Sequence, residues 1–118
     1  MASVIAEFYD LPDGRKPAQE FLDSLDDKMR AKMARTVKLL ETNGTNLREP
    51  YSKEIRKGLF ELRAKVGSDI SRVLYFFFHR GKAILTNGFI KKTQKTPESE
   101  IDRAERYKKE FLGRKENQ

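Results

Sequence analysis

Three strand-like segments run from Leu59 to Val66, Ile70 to His79 and Lys82 to Ile90, with Gly67-Ser68 and Arg80-Gly81 sitting between them. Each segment is rich in β-branched and aromatic residues, and each separator suits a two-residue hairpin turn. Strands joined so tightly pair with their neighbours in sequence, so this half of the chain reads as an antiparallel meander. Upstream, Val4, Ala6 and Phe8 alternate with Ile5, Glu7 and Tyr9, which predicts a further strand. Leu11-Pro-Asp-Gly14 is a turn by composition. Pro17 opens a short helix with Phe21, Leu22 and Leu25 on one side. Asp26 caps a second helix, in which Met29, Met33, Val37 and Leu40 recur near the helical period, and Asn43-Gly44 stops it. Residues 45 to 57 read as a polar connection. Thr96-Pro97 starts a last helix reaching about Leu112, with Ile101, Ala104, Lys108 and Phe111 on one side. Gly113 ends it, and 113–118 read as a frayed tail. The expected fold class is α+β: a small antiparallel sheet, made of the N-terminal strand plus the three-stranded meander. Two N-terminal helices and a C-terminal helix pack on one side of it. Residues 1–118 show no repeat and no linker, so a single domain is expected.

The turns fix register, and register decides which side chains meet. With a two-residue turn at Gly67-Ser68, Arg63 lies directly opposite Arg72. With another at Arg80-Gly81, Phe89 lies opposite Arg72 and Lys91 opposite Ile70. Side chains alternate along a strand, so Glu61, Arg63, Arg72, Phe89 and Lys91 share one face. Opposed arginines on a sheet repel unless an anion or a carboxylate sits between them. Glu61, diagonal to Arg72, is one such screen. A bound phosphate is the other: two guanidiniums fork onto its oxygens while Phe89 offers a surface to a base.

Charge favours the second account. The chain carries 25 Lys plus Arg against 18 Asp plus Glu, a net +7. The first 50 residues are close to neutral, whereas 53 to 95 hold 11 basic and 3 acidic side chains. Such a window attracts a polyanion. If that polyanion is RNA and is cut, the reaction needs a base for the 2′-hydroxyl, donors for the charge developing at phosphorus, and a proton for the departing 5′-oxygen. Arg63 and Arg72 suit the middle role, and Glu61 is the first candidate for the base. Lys91, Lys92 or Lys95 would stabilise or protonate the leaving oxygen. Phe89, Lys95, Lys65, Arg56 and Lys57 are candidate RNA contacts. The single histidine, His79, flanks a turn and rules out a two-histidine mechanism. No metal site is expected, because only Glu54, Glu61 and Asp69 supply carboxylates between 53 and 95. No cofactor motif is present. With no cysteine, disulfide scaffolds and thiol chemistry are excluded. The longest apolar run, Val73 to Phe78, is far short of the ~20 residues that span a bilayer. The N-terminus lacks the pattern of a secretion signal, so no membrane association and a cytoplasmic location are expected.

The segments Gly58-Leu-Phe-Glu-Leu-Arg63, Ser71-Arg-Val-Leu-Tyr-Phe76 and Phe89-Ile-Lys-Lys-Thr-Gln-Lys-Thr-Pro97, followed by Glu100-Ile101, together resemble the RelE/ParE toxin superfamily. The likeness is nearest to its HigB-type, phage-related branch, and it spans residue 3 to about 112. It implies a type II toxin that cleaves mRNA in the ribosomal A site without metal. It also implies a cognate antitoxin, in this branch usually a helix-turn-helix protein of the HigA type, and the ribosome and mRNA as further partners. By position, the family's strand arginines fall on Arg63 and Arg72, and its basic residue at the end of the last strand on Lys91 or Lys92. Lysines that some members carry before the first arginine are replaced here by Leu59 and Glu61. No tyrosine stands at the start of the last helix. A ParE-like inhibitor of DNA gyrase, without nuclease chemistry, is the alternative within the same fold. The basic window would draw an acidic antitoxin segment, with Phe76 and Leu74 expected as its apolar contacts.

Overall fold

The computed structural model describes residues 3–79, 81–91 and 95–116. The elements run β1 (Ile5–Phe8), α1 (Pro17–Ser24), α2 (Asp27–Asn43), a 3₁₀ turn at Gly44–Asn46, β2 (Ser52–Arg56), β3 (Leu59–Val66), β4 (Asp69–Phe78), β5 (Lys82–Lys91) and α3 (Glu98–Glu116). They form an α+β domain around one five-stranded sheet of order β1-β5-β4-β3-β2. Local chemistry sets most of the boundaries. Pro17 occupies the first turn of α1. The Asp26 carboxylate accepts from the Met29 amide at 2.9 Å and caps α2, which ends where Gly44 takes a φ of 55°.

Two features of the sheet differ from the sequence expectation. Ser52–Arg56, read as part of a polar connection, is an edge strand antiparallel to β3, with Lys53 opposite Glu61. Its alternation is masked because an edge strand has little apolar surface to bury. The N-terminal strand runs parallel to β5 rather than antiparallel. α1 and α2 carry the chain from one rim of the sheet to the other, so no hairpin constrains β1 against β5. The outer rim of β1 is closed by α2: Val4 donates to the Glu41 carbonyl at 2.8 Å and Ala6 to the Glu41 side chain at 3.0 Å.

The helices cover both faces of the sheet, not one. Ala18 and Leu25, with Met29, Met33 and Leu40 of α2, pack on Leu62, Ala64, Val73, Tyr75, Ala83 and Leu85. Ile101, Ala104 and Phe111 of α3 pack on Leu59, Leu74, Phe76 and Ile84 of the opposite face. Every residue of Val73–Phe76 is buried, so β4 has two apolar faces, and a sheet of that kind needs a layer on each. Close approach on the first face depends on Gly88, where a Cβ would run into the Phe21 ring of α1. α3 also continues through Gly113 to Glu116 instead of ending there. Its last turn is held by Arg114, which bonds Glu110 at 2.7 Å and the Asp10 carbonyl at 2.7 Å. Tyr9 donates to the same Glu110 oxygen at 2.7 Å and stacks on Tyr107.

The β3–β4 turn at Gly67-Ser68 is the expected two-residue turn, with Gly67 at φ 61°, and the pairing from Val66–Asp69 to Phe60–Tyr75 is unbroken. The β4–β5 connection is longer than expected. Phe78 pairs with Lys82, so it spans 79–81, with His79 left-handed at φ 53°; residue 80, half of the expected turn, lies outside the described residues. A register shift between Leu74 and Tyr75 then moves the pairing by one residue. The two departures cancel, so Arg72 still faces Phe89 and Ile70 still faces Lys91.

Candidate functional site

Arg63 of β3 and Arg72 of β4 stand directly opposite each other on the face that α3 covers. Glu61, two residues from Arg63 on the same strand, joins them. Its Oε1 accepts from Arg63 Nε at 2.7 Å and lies 3.6 Å from Arg72 Nη1. The Thr96 hydroxyl donates to Oε2 of Glu61 and accepts from Arg72 Nη1 at 3.2 Å. Arg72 and Glu61 are fully enclosed, whereas 19% of the Arg63 side chain is exposed. Burial holds the Arg72 guanidinium below its usual basicity; the Glu61 charge acts against that shift and Arg63 adds to it. Removing either partner would strand an uncompensated charge in the interior.

This arrangement corrects two expectations. Arg72 does not reach solvent, so in this structure its fork is directed at internal partners rather than at a phosphate. Glu61 has both oxygens occupied and no exposed surface. A general base must come within hydrogen-bonding reach of the proton it removes, and an enclosed carboxylate does not. Of the two screens the sequence allows between the arginines, the one observed is the Glu61 carboxylate, not the favoured phosphate. Thr96, read only as a helix cap, is the residue that closes over the pair.

Above this network lies an open cleft of about 250 Å³, lined by Lys53, Glu54, Ile55, Arg63, Lys95, Thr96, Glu98 and Ile101. Its two carboxylates are engaged: Glu54 accepts from the Gly58 amide at 3.0 Å and Glu98 from Arg56 at 2.9 Å. Lys53 and Lys95 are exposed, and among the described residues neither has an ion-pair partner. Arg63 also stands 3.9 Å from Glu49. The cleft thus offers three cations to an anion, and Arg63 is held in place from below.

The other candidates are scattered. Phe89 is half-buried and packed into the core under α3, so it is not a free stacking surface. Arg56 is bound to α3 through Glu98, with Asp102 and Glu105 at 3.8 and 3.6 Å, which makes it a fastening for that helix. Lys57 is exposed in the β2–β3 turn, outside the cleft, and Lys65 is exposed further along β3. Lys91 pairs with Ile70 through its backbone, and Lys92 lies outside the described residues. Leu74 and Phe76 are buried under α3 and present no apolar contact to a partner. The sequence reading passed over Lys53 as a site residue. Recognising β2 would have supplied it, since its pairing with Glu61 places it on this face. Among the described residues, no helix is long and apolar enough to cross a membrane.

Residues 20–109 match the family model described as phage-derived protein Gp49-like (DUF891), a span that holds β2 to β5 and every residue of the cleft. No curated protein matches the chain.

Proposed function

Since the chain belongs to the Gp49-like family of phage-derived proteins, a RelE-like toxin family in which an antitoxin is the implied partner, we propose a specific activity for it. The protein is a type II toxin that cuts mRNA on the ribosome without a metal ion. One observation carries this reading: Arg63, fixed by a buried carboxylate, opens into a cleft beside two lysines with no ion-pair partner among the described residues.

In this reading a scissile phosphate sits against Arg63, Lys53 and Lys95. The 2′-oxygen attacks phosphorus and gives up its proton to water in the open cleft, the P–O5′ bond breaks, and the 5′-oxygen takes a proton from an ammonium of the cleft. The products are a 2′,3′-cyclic phosphate and a 5′-hydroxyl. Arg63 stabilises the charge developing at phosphorus, and Lys95 is the described residue best placed to serve the leaving oxygen. Arg72, Glu61 and Thr96 are positioning residues, since Glu61 holds Arg63 and the other two hold Glu61. A shallow cleft with three cations orients a flexible message weakly, which is why the ribosome has to supply the geometry. The HigB-type assignment and a HigA-type antitoxin fit the same reading, and a cytoplasmic location follows from a ribosomal target.

The test is primer extension on translating ribosomes with Arg63→Ala, its fold checked by circular dichroism and by antitoxin binding. A-site cleavage should fall by about 10²–10³, the usual loss for one charge-stabilising donor. Cleavage and growth arrest unchanged in that variant would overturn the proposal. So would a wild-type protein that blocks supercoiling by gyrase and leaves mRNA intact.

A further inference from the structure

On the far side of Arg63 from the cleft, the surface continues onto α2. A depression of about 280 Å³ is bounded by Arg63, Lys65, Lys32 and Tyr51, and a second, of about 390 Å³, by Lys32, Arg35, Lys38 and the same Tyr51. Neither is lined by a carboxylate. Glu49 stands 3.9 Å from Arg63 but borders neither depression. The two elements are physically joined here, because the Lys32 ammonium donates to the Lys65 carbonyl at 2.5 Å. Arg35 and Lys38 are exposed, and among the described residues neither has an ion-pair partner. Tyr51, 44% exposed, is the ridge between the depressions and one of the few large apolar side chains left in water.

We infer that this strip is a second binding site, a track for the sugar-phosphate backbone of single-stranded RNA leading to the cleft, with Tyr51 as a stacking platform for a base. Cations at intervals of one helical turn on α2 follow a line rather than a point, as a strand of phosphates does. A ring exposed between two basic depressions gives a base something to stack on, which an acidic peptide would not need. The sequence hid the strip, because α2 belongs to the half of the chain whose charges nearly cancel. The inference rests on RNA being the substrate, but it does not need the cleavage chemistry.

The experiment is fluorescence anisotropy of the purified toxin with a labelled, unstructured 12-nucleotide RNA over a range of salt concentrations. The variants are K32Q/R35Q/K38Q, R35Q/K38Q and Tyr51→Ala, with thermal unfolding as the check on fold. Gln is a good helix former, and the double variant breaks no side-chain hydrogen bond or ion pair among the described residues. The triple variant should bind at least tenfold more weakly, with the slope of log K against log salt reduced by about 2, near 0.7 for each lost phosphate contact. Tyr51→Ala should lower affinity and leave that slope unchanged. Unchanged affinity and slope in both charge variants, with Arg63→Ala still impaired, would overturn the track and leave the cleft reading standing. Failure of wild-type protein to bind the RNA at all would count against both. Equal binding of polyglutamate, insensitive to Tyr51→Ala, would overturn the RNA assignment in favour of an acidic protein.

Discussion

At the scale of single residues, the consequential fact is that two arginines of the same type in the same face do different work. Arg63 keeps 19% of its side chain exposed at the cleft, whereas Arg72 is closed in and holds Glu61. Arg72→Ala leaves a buried carboxylate short of a partner and should cost about 3–5 kcal/mol of stability, measured by urea unfolding. Loss of toxicity in that variant would then report folding rather than chemistry, and Arg63→Ala is the cleaner probe. The opposition of Arg63 and Arg72 was legible from the Gly67-Ser68 turn alone, because a two-residue turn fixes every pair beyond it. Enclosure was not legible. It depends on Thr96, 24 residues beyond Arg72 in the chain, folding back over the pair, and no local pattern encodes that return.

Among the elements, those specified by local chemistry were readable and those specified by tertiary contact were not. Asp26 announced α2, and Asp26→Ala should cost about 1 kcal/mol, visible as a lower Tm. β2 has polar residues at most positions and is a strand because β3 offers it a partner. The end of α3 was misplaced because Gly113 usually stops a helix, whereas Arg114 bonded to Asp10 and Glu110 carries this one past it. The Arg72–Phe89 pairing was expected from a turn that is one residue longer in the structure, and the register shift near Leu74 restores it. Gly88 marks the seat of α1 on β5. Gly88→Ala should destabilise by about 1–3 kcal/mol through displacement of Phe21, and a compensating Phe21→Leu should recover part of that loss in the same unfolding assay.

Across the whole molecule, both ends of the chain are tied at a point remote from the cleft. The Tyr9 hydroxyl and Arg114 hold the Glu110 carboxyl below its ordinary value of 4.5, with the Tyr9 bond the largest cause. A carboxyl depressed on folding stabilises the protein above its unfolded value and loses that contribution as pH falls through the folded one. Glu110→Gln should therefore lower Tm at pH 7, and the gap to wild type should close as the pH is taken well below 4.5. The charge of the molecule is also arranged differently from its order in sequence: Arg56 is spent on α3, while Lys32, Arg35 and Lys38 join the basic side. Finally, Glu41 lying along β1 bears on how such a protein behaves when crowded. Stacking of sheets into a fibre requires two bare rims on every molecule, and here one is already sealed by its own helix. Any edgewise association through β2 would therefore stop at a pair of molecules instead of running on into a polymer.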